Sequence, residues 1–129
     1  IEVSRDGKTI WVNNYIEQEL RQYDVATEEI VSRITVANID NSAWLDDGRL
    51  LLASHLSPLT MGSCFGLTKG SCGSGYELIA VDTKSGLTEV IFRADKGGVF
   101  GPATVAVPYQ GKLYAGSFSG DRLAEITLR

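Results

Sequence analysis

The side chains best suited to chemistry in this sequence are the adjacent pair Asp40–Asn41 and the only histidine, His55. A carboxylate beside an amide offers the oxygen ligands that Ca²⁺ accepts, and an imidazole can bind or orient a ligand. The same pair could equally cap an ordinary turn, because Asp and Asn side chains hydrogen-bond nearby backbone readily. His55 could likewise be a buried histidine whose ring nitrogens are satisfied. Residue type alone therefore leaves a metal site and a turn both open.

Strands separated by glycine turns must position these side chains. Three short apolar runs rich in strand-forming residues each follow a Gly-centred turn, a pattern typical of β-hairpins. The turns and their runs are Asp6–Gly7 with 9–12, Asp47–Gly48 with 50–53, and Gln110–Gly111 with 113–115. The one segment that could be helical, 16–22, is polar on most faces, and we interpret it as a loop leading into a strand at 20–23. The chain is therefore predicted to be all-β.

The sequence also repeats itself. Three segments share an alternating strand, a Gly turn followed by a basic residue, and a second apolar strand: IEVSRDGKTIWVNN, NSAWLDDGRLLLASH and ATVAVPYQGKLYAGSF. Further strand patterns follow each copy, but the third copy stops before its outer strand. Four strands per unit and a period of about 40 residues are typical of a β-propeller blade. We predict about three four-stranded blades, approximately 1–36, 37–95 and 99–129, with the last blade incomplete.

Three blades make only part of a propeller, because known propellers have about four to eight. Each end of such a row presents a sheet face that needs a neighbour. We therefore predict that residues 1–129 form a single partial β-propeller domain, belonging to a six-bladed ring. The remaining half would come from the same longer chain or from a second copy in a homodimer; otherwise another partner would cover the open faces.

The composition argues against two classes of partner. The chain has 12 basic and 16 acidic residues scattered along it, with no basic stripe that would bind nucleic acid. Its apolar runs are far shorter than the ~20 residues that cross a bilayer, so no membrane association is expected. No signal peptide is visible either, although the chain opens on Ile1 in the middle of a strand pattern.

A glycine- and serine-rich insertion, residues 56–75, interrupts the repeat directly after His55. We predict a long loop that covers the central mouth of the propeller. Its apolar contacts would be Met61, Phe65 and Leu67. Cys64 and Cys72 are the only cysteines and could close a local disulfide or remain two separate thiols. A disulfide would favour an oxidising compartment, periplasmic or secreted.

Three stretches of the chain resemble a known family of calcium-dependent propellers. Residues 1–12 are similar to a blade start, 39–55 to an Asp-Asn strand that ends in a histidine, and 103–113 to a final blade. Together they resemble the C-terminal half of the six-bladed paraoxonase/arylesterase group, with its gluconolactonase (senescence-marker-protein) and strictosidine-synthase-like relatives. The specificity of this resemblance lies in the Asp-Asn pair and the later histidine in register.

The resemblance implies a Ca²⁺-dependent hydrolase of small-molecule esters or lactones, of the lactonase or arylesterase type, with this chain as half of the catalytic propeller. Asp40 and Asn41 would hold the ion, which polarises the substrate carbonyl, and His55 would line the same pocket. Further pocket-lining residues would be Asn14, Ser54, Thr104 and Phe118. The other calcium ligands and the general base would lie in the other half. Strictosidine synthases carry a glutamate at the position of Thr104, so their chemistry is not expected.

A second class of function stays open, namely a non-catalytic β-propeller module that presents its top face to a ligand or partner. Ca²⁺ bound by Asp40 and Asn41 would favour the hydrolase. An apolar or empty centre would favour the binding module.

Overall fold

The chain is built from short strands joined by turns and loops, as the computed structural model of residues 1–96 and 98–128 describes it. The predicted domain also includes Gly97 and Arg129, which lie outside the described residues. The strands are β1 Glu2–Val3, β2 Thr9–Asn14, β3 Glu19–Asp24, β4 Ile30–Thr35, β5 Ile39–Trp44, β6 Leu50–His55, β7 Tyr76–Val81, β8 Thr88–Ala94, β9 Val105–Tyr109, β10 Lys112–Gly116 and β11 Ala124–Ile126. One short 3₁₀ helix, Pro58–Cys64, interrupts them. The all-β prediction is confirmed.

The strands form three antiparallel sheets, each built from consecutive strands. The first sheet has the order β1-β2-β3-β4, the second β5-β6-β7-β8, and the third β9-β10-β11. Within the described residues none of these sheets closes on itself. The glycines of all three predicted turns adopt the left-handed backbone conformation that glycine tolerates, with φ of 69° at Gly7, 89° at Gly48 and 76° at Gly111. A glycine turn therefore joins the first two strands of each sheet.

The second sheet lies between the other two, and β6 is its most buried strand. All six residues of β6 are buried. Because successive side chains of a strand point to opposite faces, Leu50 and Leu52 pack with Trp11 of the first sheet. Leu51 and Ala53 belong to a separate core that includes residues of the third sheet. One strand thus contributes to two sheet interfaces, which explains its continuous apolar run.

The outer faces of the first and third sheets remain open. On the first sheet, Ile10 and Val12 alternate with buried Trp11 and line a surface groove together with Tyr23. On the third sheet, Val107 and Tyr109 are exposed. Sheet faces with this much apolar surface are typical of a fold that continues in a further layer. In the part of the chain that is described, no helix is long and apolar enough to span a membrane.

Candidate functional site

A β-bulge places Asp40 and Asn41 on the same side of β5. The register runs from the pair Ile39–Ser54 directly to the pair Ser42–Leu52, so both Asp40 and Asn41 lie opposite the single residue between these partners on β6. In a regular strand two successive side chains would point to opposite faces, and a bulge relaxes that rule. Asn41 Nδ2 accordingly donates a 2.7 Å hydrogen bond to Asp40 Oδ1. The bulge therefore places the Asp40 carboxylate and the Asn41 amide side by side on one face of β5.

The two neighbouring sheets hold this bulge from both sides. On one side, the carbonyl of Thr104, the residue directly before β9 of the third sheet, accepts hydrogen bonds from Asn41 N at 3.0 Å and from Asn41 Nδ2 at 2.9 Å. From the first sheet, Asn13 Nδ2 donates to the Asp40 carbonyl at 2.7 Å and contacts Ser42 Oγ at 3.2 Å. The Asn41 side-chain oxygen takes no part in these bonds. The bulge is thus fixed by residues far away in the sequence.

His55 lies beside the bulge at the end of β6 and is only 1 % exposed. Its Nε2 is 3.1 Å from the Ala103 carbonyl and 3.7 Å from Asp40 Oδ2, and its Nδ1 is 3.2 Å from Tyr15 Oη. Burial lowers the pKa of His55, although Asp40 and the Ala103 carbonyl partly oppose this shift. Burial likewise raises the pKa of Asp40, partly offset by His55. The imidazole is therefore neutral at neutral pH.

A pocket of about 430 Å³ opens above these groups and is called the mouth pocket below. Its lining residues are Tyr15, Asp40, His55, Pro58, Met61, Phe65 and Phe118. The volume falls in the range of small-molecule sites. Polar groups of Asp40 and Tyr15 form one part of the lining, with the buried His55 ring next to them. The other part is apolar, where the rings of Phe65 and Phe118 are 5.4 Å apart. This arrangement suits a small molecule with one polar and one apolar end.

The insertion supplies much of the apolar lining and is fastened in place. A disulfide joins Cys64 and Cys72, as predicted. Beyond the disulfide, Gly70 N donates to Asp121 Oδ1 at 2.9 Å, and Gly120 N donates to the Leu67 carbonyl at 2.8 Å. These bonds connect the insertion to the loop between β10 and β11, which carries Phe118.

Removing the disulfide is expected to lower the free energy of unfolding by about 2–3 kcal/mol, because the ring of Cys64 and Cys72 restrains the unfolded chain. The double variant Cys64→Ala/Cys72→Ala measures this by urea denaturation followed through tryptophan fluorescence. The unmodified protein treated with a reductant serves as the second sample and is expected to match the variant. Equal stability of oxidised and reduced protein would contradict the prediction.

The structure does not bring every predicted residue into the mouth pocket. Asp40, His55 and Phe118 line it, and Asn41 is hydrogen-bonded to Asp40. The remaining predicted side chains point elsewhere. Asn14 Nδ2 donates to Glu17 Oε2 at 2.7 Å, Ser54 Oγ donates to the Ala37 carbonyl at 2.7 Å, and Thr104 Oγ1 lies 3.4 Å from the Gly116 carbonyl. Thr104 thus serves the site through its carbonyl oxygen.

Sequence reasoning missed one residue of the site, Tyr15. Its only signal was its position directly after β2, beside the asparagines that end that strand. On sequence grounds Asn13 and Asn14 could each be a pocket residue or a strand cap, and it is Asn13 that contacts the bulge. Comparison with known protein families and with curated proteins finds no match for this chain. Its function must therefore be argued from the site.

Proposed function

We propose that this chain is half of the catalytic propeller of a Ca²⁺-dependent hydrolase of the lactonase or arylesterase type, acting on a small-molecule ester or lactone. The observation that carries the proposal is the bulge, which directs the Asp40 carboxylate and the Asn41 amide to one side, next to the mouth pocket. The disulfide between Cys64 and Cys72 supports a periplasmic or secreted location.

The sheet arrangement supports the propeller part of the proposal. Each sheet is a meander of consecutive strands, and β5 contacts both β2 of the first sheet and β9 of the third. The bulge lies on β5, between these two neighbouring strands, and its Asp40 lines the mouth pocket. The apolar outer faces of the first and third sheets would be covered by the remaining half of the propeller, from the same longer chain or from a second copy.

The donor groups present are suited to calcium. Asp40 is 32 % exposed, and no Lys or Arg lines the mouth pocket among the described residues, so its carboxylate lacks a cationic partner there. Asn41 has its amide nitrogen engaged and its side-chain oxygen left for a ligand. Calcium takes about six to eight oxygens, and no group of three or more His, Cys, Asp or Glu side chains is found within residues 1–96 and 98–128. The missing half and water would supply the remaining ligands.

The chemistry would be divided between the ion and the chain. Bound calcium acts as a Lewis acid toward a carbonyl oxygen. Asp40 and Asn41 would hold the ion, while Met61, Phe65 and Phe118 would bind the apolar part of the substrate and exclude water from it. The carbonyl would thereby be oriented toward the polar side of the pocket.

A non-catalytic binding module is the second candidate, and the surroundings of His55 favour it. Both ring nitrogens already have partners, Tyr15 at Nδ1 and the Ala103 carbonyl at Nε2. A general base must reach the proton that it removes, and this imidazole would have to break a buried hydrogen bond first. A module that only binds its ligand needs no such base.

The substitution Asp40→Asn is expected to weaken calcium binding by about tenfold or more, because it removes a ligand charge while keeping the side-chain shape. Isothermal titration with CaCl₂ measures the affinity of the 129-residue protein and of the variant. Asp46→Asn is the matched control, since Asp46 is an exposed turn residue outside the pocket. Calcium that binds the Asp40 variant as tightly as the Asp46 variant and the unmodified protein would exclude Asp40 as a ligand and leave the binding module.

A further inference from the structure

The hydrogen-bond partners of His55 determine which ring nitrogen carries the proton. The Ala103 carbonyl, 3.1 Å from Nε2, can only accept a hydrogen bond, and so can Asp40 Oδ2 at 3.7 Å when ionised. Nε2 must therefore be the protonated nitrogen. In a neutral imidazole the other nitrogen, Nδ1, is then an acceptor.

The same reasoning determines the direction of the hydrogen bond between the Tyr15 hydroxyl and His55. Because Nδ1 of His55 can only accept, the 3.2 Å contact must be a hydrogen bond donated by the Tyr15 hydroxyl. The lone pairs of Tyr15 Oη are then left for another donor. Tyr15 is half-buried and lines the mouth pocket, whereas the His55 side chain has no exposed surface. A ligand or water in the pocket thus meets Tyr15 with its hydroxyl proton turned away.

We propose that Tyr15, and not His55, is the residue through which this pair acts on a bound molecule, as a hydrogen-bond acceptor, and that His55 is a positioning residue behind it. The inference rests on the proposed hydrolase for its role in the reaction. There, Tyr15 Oη would accept a hydrogen bond from a water molecule and orient it toward the substrate carbonyl. When that water attacks, its proton would go to the general base in the other half of the propeller. The carbonyl C–O bond to the alcohol part would break, and that oxygen would leave as a hydroxyl group. In a binding module, the same oxygen would accept a hydrogen bond from the ligand.

The experiment uses the fact that His55 is the only histidine, so that the ¹⁵N-labelled protein gives a single set of imidazole signals. A two-bond ¹H–¹⁵N correlation spectrum at about pH 8, where the ring is neutral, should show a protonated Nε2 and an unprotonated Nδ1. In Tyr15→Phe the Nδ1 signal should move toward that of a free acceptor nitrogen, while Nε2 keeps its position. A merely structural role of Tyr15 would not produce this selective shift.

Tyr23→Phe is the control, because Tyr23 lies on the outer face of the first sheet, in a groove that contains no His55 atom. It should leave both nitrogen signals unchanged. A protonated Nδ1, or a Tyr15→Phe spectrum identical to that of the unmodified protein, would overturn the inference.

Addition of δ-valerolactone separates the inference from the hydrolase proposal. The Met61 methyl and Tyr15 Cζ signals should shift together, because both residues line the pocket. A shift of Met61 without Tyr15 would overturn the role of Tyr15. If neither signal moves, the hydrolase proposal fails. The His55 imidazole spectra of the unmodified protein and of Tyr15→Phe then decide by themselves whether Tyr15 donates its hydrogen bond to His55.

Discussion

Replacing Leu52 with alanine is expected to lower the free energy of unfolding by about 3 kcal/mol. Leu52 is 0 % exposed and packs in the core between the first and second sheets. Its truncation removes buried apolar surface and leaves a cavity that the surrounding sheets can fill only in part. Urea denaturation followed by tryptophan fluorescence measures the change, and Trp11 lies in the same core.

The matched control makes the same chemical change where nothing is buried. Leu59 is 95 % exposed, so Leu59→Ala should change the free energy of unfolding by less than about 0.5 kcal/mol. Leu51→Ala, on the opposite face of β6, should lower the free energy of unfolding about as much as Leu52→Ala if the two cores unfold together. Equal stability of the Leu52 and Leu59 variants would show that the interface between the first two sheets contributes little.

Replacing Gly75 with alanine is expected to lower the free energy of unfolding by about 2–3 kcal/mol. Gly75 is buried just before β7, and an added Cβ would overlap the Asp95 carbonyl and contact the Leu56 side chain too closely. Asp95 directly follows β8, so relief of the overlap must pull the end of β8 away from β7. The free-energy cost of this overpacking exceeds the stabilisation that alanine gives by making the unfolded chain less flexible.

Gly62→Ala provides the comparison, because Gly62 has no atom within 4 Å of an added Cβ. This variant should be as stable as the unmodified protein or more stable by about 0.5–1 kcal/mol. Thermal unfolding of both variants by circular dichroism measures the difference. A Gly75 variant no less stable than the Gly62 variant would contradict the close packing around Gly75.

The strands could be predicted from sequence because their signals are local. The run at 50–53 is apolar on consecutive positions, which indicates a strand buried on both faces, and β6 is such a strand. The turns before the runs carry glycine, and Gly48 and Gly111 adopt the left-handed conformation that glycine allows. Each of these features depends on residues close together in the chain.

The geometry of the site could not be predicted in the same way, because distant residues determine it. Asp40–Asn41 reads as a turn or as two alternating strand residues until the Thr104 carbonyl and Asn13 fix a bulge there. The role of Thr104 depends on a backbone carbonyl, which no side-chain pattern reveals. Tyr15 became visible only through the orientation of the His55 ring.

The burial of β6 on both faces has a consequence for strand pairing. A shift of β6 by one residue would exchange its leucines between two apolar environments, so hydrophobicity alone opposes such a slip weakly. The polar end of the strand must prevent it. Ser54 Oγ donates to the Ala37 carbonyl, His55 N donates to the Asn38 carbonyl, and Asn38 Nδ2 donates to the His55 carbonyl. His55, which lines the mouth pocket, and its neighbour Ser54 therefore also fix the alignment of the central strand, so substitutions there endanger correct assembly of the sheet as well as ligand recognition.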